Sequence, residues 1–180
     1  MDRLYFKFPD MEDRENVLDF KNEFILSGQI MHGVGGLDEV DSYEEWINRI
    51  NNDLSSETCG EGRVPATEYL AYRTEDNRLV GMLQIRHYLN DGLLAHGGHI
   101  GQCVRPNERC KGYGTEQIAF ALKECEKLGI ERVLLVCDKS NIASARTIQK
   151  NNGILENEII DPTDGEIIQR YWITINNEEM

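Results

Sequence analysis

Apolar residues recur at two different spacings along this chain, and the changes between them mark its elements. Leu4-Tyr5-Phe6-Lys7-Phe8 reads as a short strand closed by Pro9, and Asp10 is placed to cap a helix running to about Leu26. Val17, Phe20 and Phe24 give that helix one apolar stripe. Gly28, Gly33, Gly35 and Gly36 mark a connection, after which Ser42-Tyr43-Glu44-Glu45 forms a capping-box pattern ahead of a helix carrying Trp46, Ile50 and Leu54. Residues 55 to 66, with Ser, Gly and Pro, read as a loop.

The period then changes to that of strands. Glu68 to Arg73 and Arg78 to Tyr88 are β-rich runs around Thr74-Glu75-Asp76-Asn77, a hairpin. The turn Asn90-Asp91-Gly92 leads to a third strand, His99 to Arg105, which Pro106 ends, so the three strands form an antiparallel meander. From Gly112 to Leu128 the spacing is helical, with Ile118, Leu122, Cys125 and Leu128 on one face and Gly129 as terminator. The unbroken apolar run Arg132 to Cys137 reads as a strand covered on both faces. Strand, helix, strand implies a right-handed crossover and a local parallel pair. A short helix from Asn141 to about Asn151-Asn152-Gly153 follows, then strands at about 154 to 160 and 167 to 175 around the turn Pro162-Thr163-Asp164-Gly165. The pattern is α+β, and 180 residues suit one domain, 1 to 180.

The charge balance narrows the partners. With 19 basic and 32 acidic residues the net charge is −13, which repels nucleic acid and anionic lipid and leaves an amine or other cationic small molecule as the better match. No apolar run reaches the roughly 18 to 20 residues that cross a bilayer, and Met1-Asp2-Arg3-Leu4-Tyr5 has no apolar signal core, so a cytoplasmic location without membrane contact is expected. Cys59, Cys103, Cys110, Cys125 and Cys137 contain no C-x-x-C pair, which points to reduced thiols. His96-x-x-His99 with Cys103 is no metal site if these residues form a strand, because that spacing sends the two rings to opposite faces. Cys103 and Cys110, with no base beside them, read as structural thiols rather than acyl-accepting nucleophiles.

One stretch stands out against the acidity. Val104-Arg105-Pro106-Asn107-Glu108-Arg109-Cys110-Lys111-Gly112-Tyr113-Gly114-Thr115 lies between a strand and an amphipathic helix. Gly112 and Gly114 let backbone approach a ligand closely, the first N–H groups of the helix are unpaired at the positive end of its dipole, and Arg109 and Lys111 add charge. This is an anion cradle suited to a pyrophosphate. It is not a P-loop, since no G-x-x-x-x-G-K-[ST] is present, nor a dinucleotide fingerprint, since Gln117 replaces the third glycine.

Arg109-x-x-Gly112-x-Gly114 resembles the coenzyme A signature of the GNAT superfamily of N-acetyltransferases, and Asn141-Ile142-Ala143-Ser144 resembles the start of that family's next helix. The segment Lys150-Asn151-Asn152-Gly153-Ile154-Leu155-Glu156-Asn157 is similar to a bacterial predicted-acetyltransferase branch. The resemblance implies a mostly antiparallel sheet with a central parallel strand pair, at about 100 to 105 and 132 to 137, splayed around acetyl-CoA and flanked by helices. It also implies an acetyl transfer from acetyl-CoA to an amine, of a small molecule or of a peptide, by direct attack. By the same carry-over Cys103 and Val104 bind the pantetheine arm, Arg109, Cys110, Lys111, Gly112, Tyr113, Gly114 and Thr115 hold the pyrophosphate, and Asn141 and Ser144 contact the cofactor from the next helix. A strand N–H would polarise the thioester carbonyl, an effect on the order of 3 kcal/mol.

Direct attack requires the ammonium to lose its proton. His99, ten positions before Arg109 and close to where some members carry a carboxylate base, is the first candidate for base or relay, ahead of His96 and His87. Ile148 occupies the position where many members carry a tyrosine acid, so the general acid stays unassigned; Tyr113 lies within the pyrophosphate loop and is expected to point elsewhere, Tyr171 in a late strand is the alternative, and solvent can also protonate the thiolate. The loss of that tyrosine keeps a rival reading open, a non-catalytic acyl-CoA-binding or regulatory module. A nucleotide-binding protein using the same loop is a second rival. The last hairpin offers an edge for a homodimer.

Overall fold

The computed structural model describes residues 2–162 and 164–175. Thr163, in the expected final turn, lies outside the described residues. Strand β1 (Leu4–Lys7) leads into a 3-10 turn capped by Asp10 and then helix α1 (Arg14–Ser27), which ends on Gly28 in the left-handed conformation. Helix α2 (Tyr43–Asn52) starts where Ser42 Oγ accepts the Glu45 N–H. Strands β2 (Ala66–Arg73), β3 (Arg78–Arg86) and β4 (Ile100–Val104) follow, then α3 (Tyr113–Lys127), β5 (Arg132–Asp138), α4 (Ile142–Lys150), β6 (Ile154–Ile160) and β7 (Ile167–Thr174).

The expected mixed sheet is two antiparallel sheets that meet at an edge. One has the order β1-β2-β3-β4 and the other β5-β7-β6. Where the crossover predicted a parallel pair, β4 and β5 share no ladder; the His99 N–H donates to Leu134 O at 2.8 Å just before β4 begins. Beyond that bond the strands part, as the family resemblance implied. The strand expected from His99 therefore starts at Ile100, and His96 lies in a π-helical turn, Leu93–Gly97, rather than in a strand.

Two cores hold the cleft open from opposite faces of the first sheet. Val17, Phe20 and Phe24 of α1 and Trp46 and Ile50 of α2 pack with Leu70, Met82 and Cys103 on one face. Ile118, Ala121 and Cys125 of α3 pack with Leu83, Ile85 and the β5 residues Val133 and Leu135 on the other. Burying side chains of this size contributes about 1.5–3 kcal/mol each, so the cleft edges cannot drift without opening a core. The glycine-rich connection between α1 and α2 lies directly on β4: a Cβ on Gly33, whose φ is +65°, would stand 2.0 Å from Gly101 O.

Candidate functional site

The cradle is positioned by ion pairs that the sequence pattern did not reveal. At the end of β4, Arg105 is buried; its Nε donates to Leu79 O at 2.8 Å and its Nη1 reaches Asp19 at 2.8 Å and Glu23 at 2.9 Å on α1. Glu23 also accepts the Asn107 N–H at 2.9 Å, so α1 fixes the start of the loop. Glu108 then turns inward, accepting from Arg73 Nη1 at 2.8 Å and Lys111 Nζ at 2.7 Å, with Arg78 Nε 3.3 Å away. Burial works to raise the pKa of Glu108, but its bonds to Lys111 and Arg73 outweigh this and leave it lowered.

The loop closes through Cys110 at φ +63° and Gly112 at φ +89°, the N-cap of α3. The N–H groups of Tyr113 and Gly114 have no preceding turn to donate to within the helix, and both residues line a cavity of about 750 Å³. Its wall includes the predicted Cys103, Val104, Arg109, Cys110, Gly112, Tyr113, Gly114, Thr115, Asn141 and Ser144. Lys111 is the exception; its ammonium is drawn to Glu108 and the residue is not on the wall. Asn141 caps α4, accepting the Ser144 N–H at 3.1 Å, and Asn151 Nδ2 donates to Thr115 O at 3.2 Å, which ties α4 to α3.

Sequence reasoning missed several wall residues. Ala143, Arg146, Thr147 and Lys150 line the cavity from one face of α4, a three-to-four-residue spacing visible in the sequence but with no apolar contrast to draw attention to it. His32 and Gln102 line it too, and the side-chain oxygen of Gln102 is buried with no donor among the described residues.

The sequence model of the Acetyltransferase (GNAT) family matches residues 37–154. This chain belongs to that family. A comparison with the curated proteins gives no match. Among solved structures, yncA from Salmonella typhimurium, solved with its cofactor acetyl-CoA, superposes with a TM-score of 0.65 at 12% identity, over 99% of this chain and 98% of that one. The acetyl transferase from Salmonella typhimurium that modifies the N-terminal serine of ribosomal protein L7/L12 gives 0.68 at 16% identity, over 98% and 97%. The spermidine/spermine N-acetyltransferase SpeG from Vibrio cholerae gives 0.66 at 13% identity, over 96% and 94%.

Acetyl-CoA is the cofactor of the GNAT family, and the cavity fits it on its own chemistry. The α3 N-terminus and Arg109 suit phosphate oxygens, Arg146 and Lys150 add cations further along the wall, and the unpartnered Gln102 oxygen suits an amide N–H.

His99 is buried with its Nδ1 accepting the Leu134 N–H at 2.9 Å, and burial, reinforced by Arg86, lowers its pKa to about 4. It is a neutral clip between the sheets, with its lone pair already engaged. His87 Nε2 pairs with Thr67 Oγ1 at 2.8 Å, and His96 Nδ1 is buried without a partner among the described residues. The Tyr113 hydroxyl accepts from Arg73 at 3.3 Å, Tyr171 donates to Gln169 at 2.7 Å, and Ile148 is in the core beneath α4. Burial pushes the Cys103 thiol up to about 12, which suits packing rather than nucleophilic attack. Cys110 is exposed on the loop.

Proposed function

We propose that this chain is an N-acetyltransferase that moves the acetyl group of acetyl-CoA to an amine. The observation that carries the reading is the wall of the 750 Å³ cavity, which joins the α3 N-terminus and Arg109 to Val104, Cys103 and Gln102 of β4. Acetyl-CoA supplies an activated acetyl group: a nitrogen–carbon bond forms as the carbon–sulfur bond breaks, and coenzyme A leaves as a thiol with the proton the amine gives up. Tyr113 and Gly114 hold the pyrophosphate by their amides, Arg109, Arg146 and Lys150 hold phosphate oxygens by charge, and Gln102 aligns the pantetheine arm. His32, an exposed imidazole on the wall next to buried Cys103, takes the first proton from the substrate ammonium in place of His99, and the proton lost as the nitrogen–carbon bond forms is the one that leaves on the thiol.

The experiment is a panel of amines with acetyl-CoA, read by thiol release and by mass of the product. An acetylated amine, with turnover reduced in His32→Ala, supports the reading. The pinned His99 and the apolar Ile148 favour a second reading, a non-catalytic acyl-CoA-binding module; tight acetyl-CoA binding without release by any amine would establish it instead. A cytoplasmic location and a homodimer belong to the same proposal. No helix among the described residues is long and apolar enough to cross a membrane, and the edge strand β6 exposes Ile154, Leu155 and Ile160 for a second copy to cover.

A further inference from the structure

Two carboxylates stand in the segment that forms the cofactor cradle, Glu108 in the loop and Glu116 in the first turn of α3. Each is an anion close to where a pyrophosphate must approach, and an unbalanced one would weaken the pull of the helix N-terminus on a second anion. Glu108 has three cations around it, Arg73, Arg78 and Lys111. Glu116 has one within ion-pair distance among the described residues, and it comes from the far end of the chain: Arg3, directly before β1.

Arg3 is built into the cradle. Its Nε donates to Glu116 Oε1 at 2.8 Å, and its Nη2 contacts the same oxygen. Nη2 also donates to the Lys111 carbonyl at 2.9 Å, and the guanidinium lies 5.1 Å from the centre of the Tyr113 ring. A Cβ on Gly112 would stand 3.4 Å from Nη2. One side chain therefore lies against the loop from Lys111 to Tyr113 and against the next acid of the helix. Gly112 and Tyr113 line the cofactor cavity, whereas Arg3 and Glu116 do not. The backbone behind the guanidinium is fixed by the first sheet: the Thr74 N–H donates to Arg3 O at 2.9 Å, and Leu4 pairs with Arg73.

Side chains of a helix lean toward its N-terminus, so a Glu116 carboxylate without its partner would compete with a phosphate for the positive end of α3. The forked guanidinium holds that carboxylate and the Lys111 carbonyl at once, which a single ammonium does less well. With side-chain exposures of 56% for Arg3 and 34% for Glu116, the pair adds little to folding, so its effect falls on the ligand.

We propose that Arg3 is a positioning residue for the cofactor: it keeps the Glu116 carboxylate in an ion pair off the cavity wall and leaves the α3 N-terminus to the pyrophosphate of acetyl-CoA. The inference rests on the acetyl-CoA reading of the cavity and adds to it a residue that does not line that cavity.

The test is calorimetric titration of the full chain with acetyl-CoA for wild type, Arg3→Gln, Glu116→Gln and the double variant, at about 50 mM and about 500 mM salt, with melting temperatures alongside. At low salt Arg3→Gln should raise the Kd about three- to tenfold, the span of one charge near a helix N-terminus. Its melting temperature should stay within about 2 °C of wild type. Made in the Glu116→Gln background, the same change should cost no more than about twofold, because the charge that Arg3 offsets is already gone. The loss in Arg3→Gln should also shrink at high salt, and Arg3→Lys should restore part of the affinity. An Arg3→Gln protein that binds acetyl-CoA as tightly as wild type would overturn the proposal. So would a loss that is equally large without Glu116, or one that high salt leaves unchanged, since either would mark a purely structural contact. A folded wild type that binds no acetyl-CoA counts against the cofactor reading instead.

Discussion

His99 and Leu134 grip each other twice: the His99 N–H donates to Leu134 O at 2.8 Å, and His99 Nδ1 accepts the Leu134 N–H at 2.9 Å. This pair joins two sheets that otherwise share no ladder. A ring in that position holds the two sheets together, with its Nδ1 lone pair engaged by the Leu134 N–H.

His99→Ala should therefore lower stability by about 1–3 kcal/mol, the cost of leaving a buried N–H unpaired. The pH dependence has a definite sign. With a folded pKa near 4 against 6.5 in the unfolded chain, the unfolded state binds more protons between these values. The contribution of His99 to stability is thus complete above about pH 6.5 and is lost as pH falls toward 4. Denaturant unfolding of wild type and variant at several pH values checks this; a stability gap that widens on acidification would contradict it.

The two glycines of the cradle should separate folding from binding. Gly112 at φ +89° should cost about 1–2 kcal/mol when replaced by Ala, because a side chain is strained there. Gly114 has no such constraint, and a Cβ there would meet nothing closer than Thr147 Cγ2 at 3.5 Å. Gly114→Ala should keep the wild-type melting temperature yet weaken acetyl-CoA binding at least about tenfold, as a methyl group blocks approach to the helix amides. Thermal unfolding and calorimetry on the two variants give the comparison.

Glu108→Ala should uncouple the loop from the sheet. Removing a buried carboxylate that faces Arg73, Arg78 and Lys111 should cost about 3 kcal/mol, and it frees Lys111 from its inward tether. Thermal unfolding reports the loss, and hydrogen exchange should show faster opening of residues 106 to 112.

Tyr171→Phe should leave the transfer rate within about twofold of wild type, since its hydroxyl bonds Gln169 and the residue is not on the wall of the cofactor cavity. A large loss of turnover with retained acetyl-CoA affinity would make Tyr171 the missing acid.

Much of this fold is legible in local pattern. The stripe of Val17, Phe20 and Phe24, the Ser42 cap and the apolar run of β5 each follow from a period or a terminus signal acting within one element. The cradle was visible for the same reason, because its glycines and cations are adjacent in sequence. What local pattern does not carry is pairing at a distance. Nothing near His99 tells that its ring faces Leu134, and nothing near Lys111 tells that Arg73 and Arg78, more than thirty residues earlier, join it on Glu108. His32 and Arg146 reach the cavity only because Gly33 rests on Gly101 and Asn151 ties α4 to α3.

Calorimetric titration of the folded protein with acetyl-CoA tests the central claim most directly, run beside Arg109→Ala and Gly114→Ala. Saturable one-to-one binding that each variant weakens about tenfold or more, with folding intact, is the predicted result. A folded wild type that takes up no acetyl-CoA, or binds it equally well without Arg109 and with Ala at 114, would contradict the account.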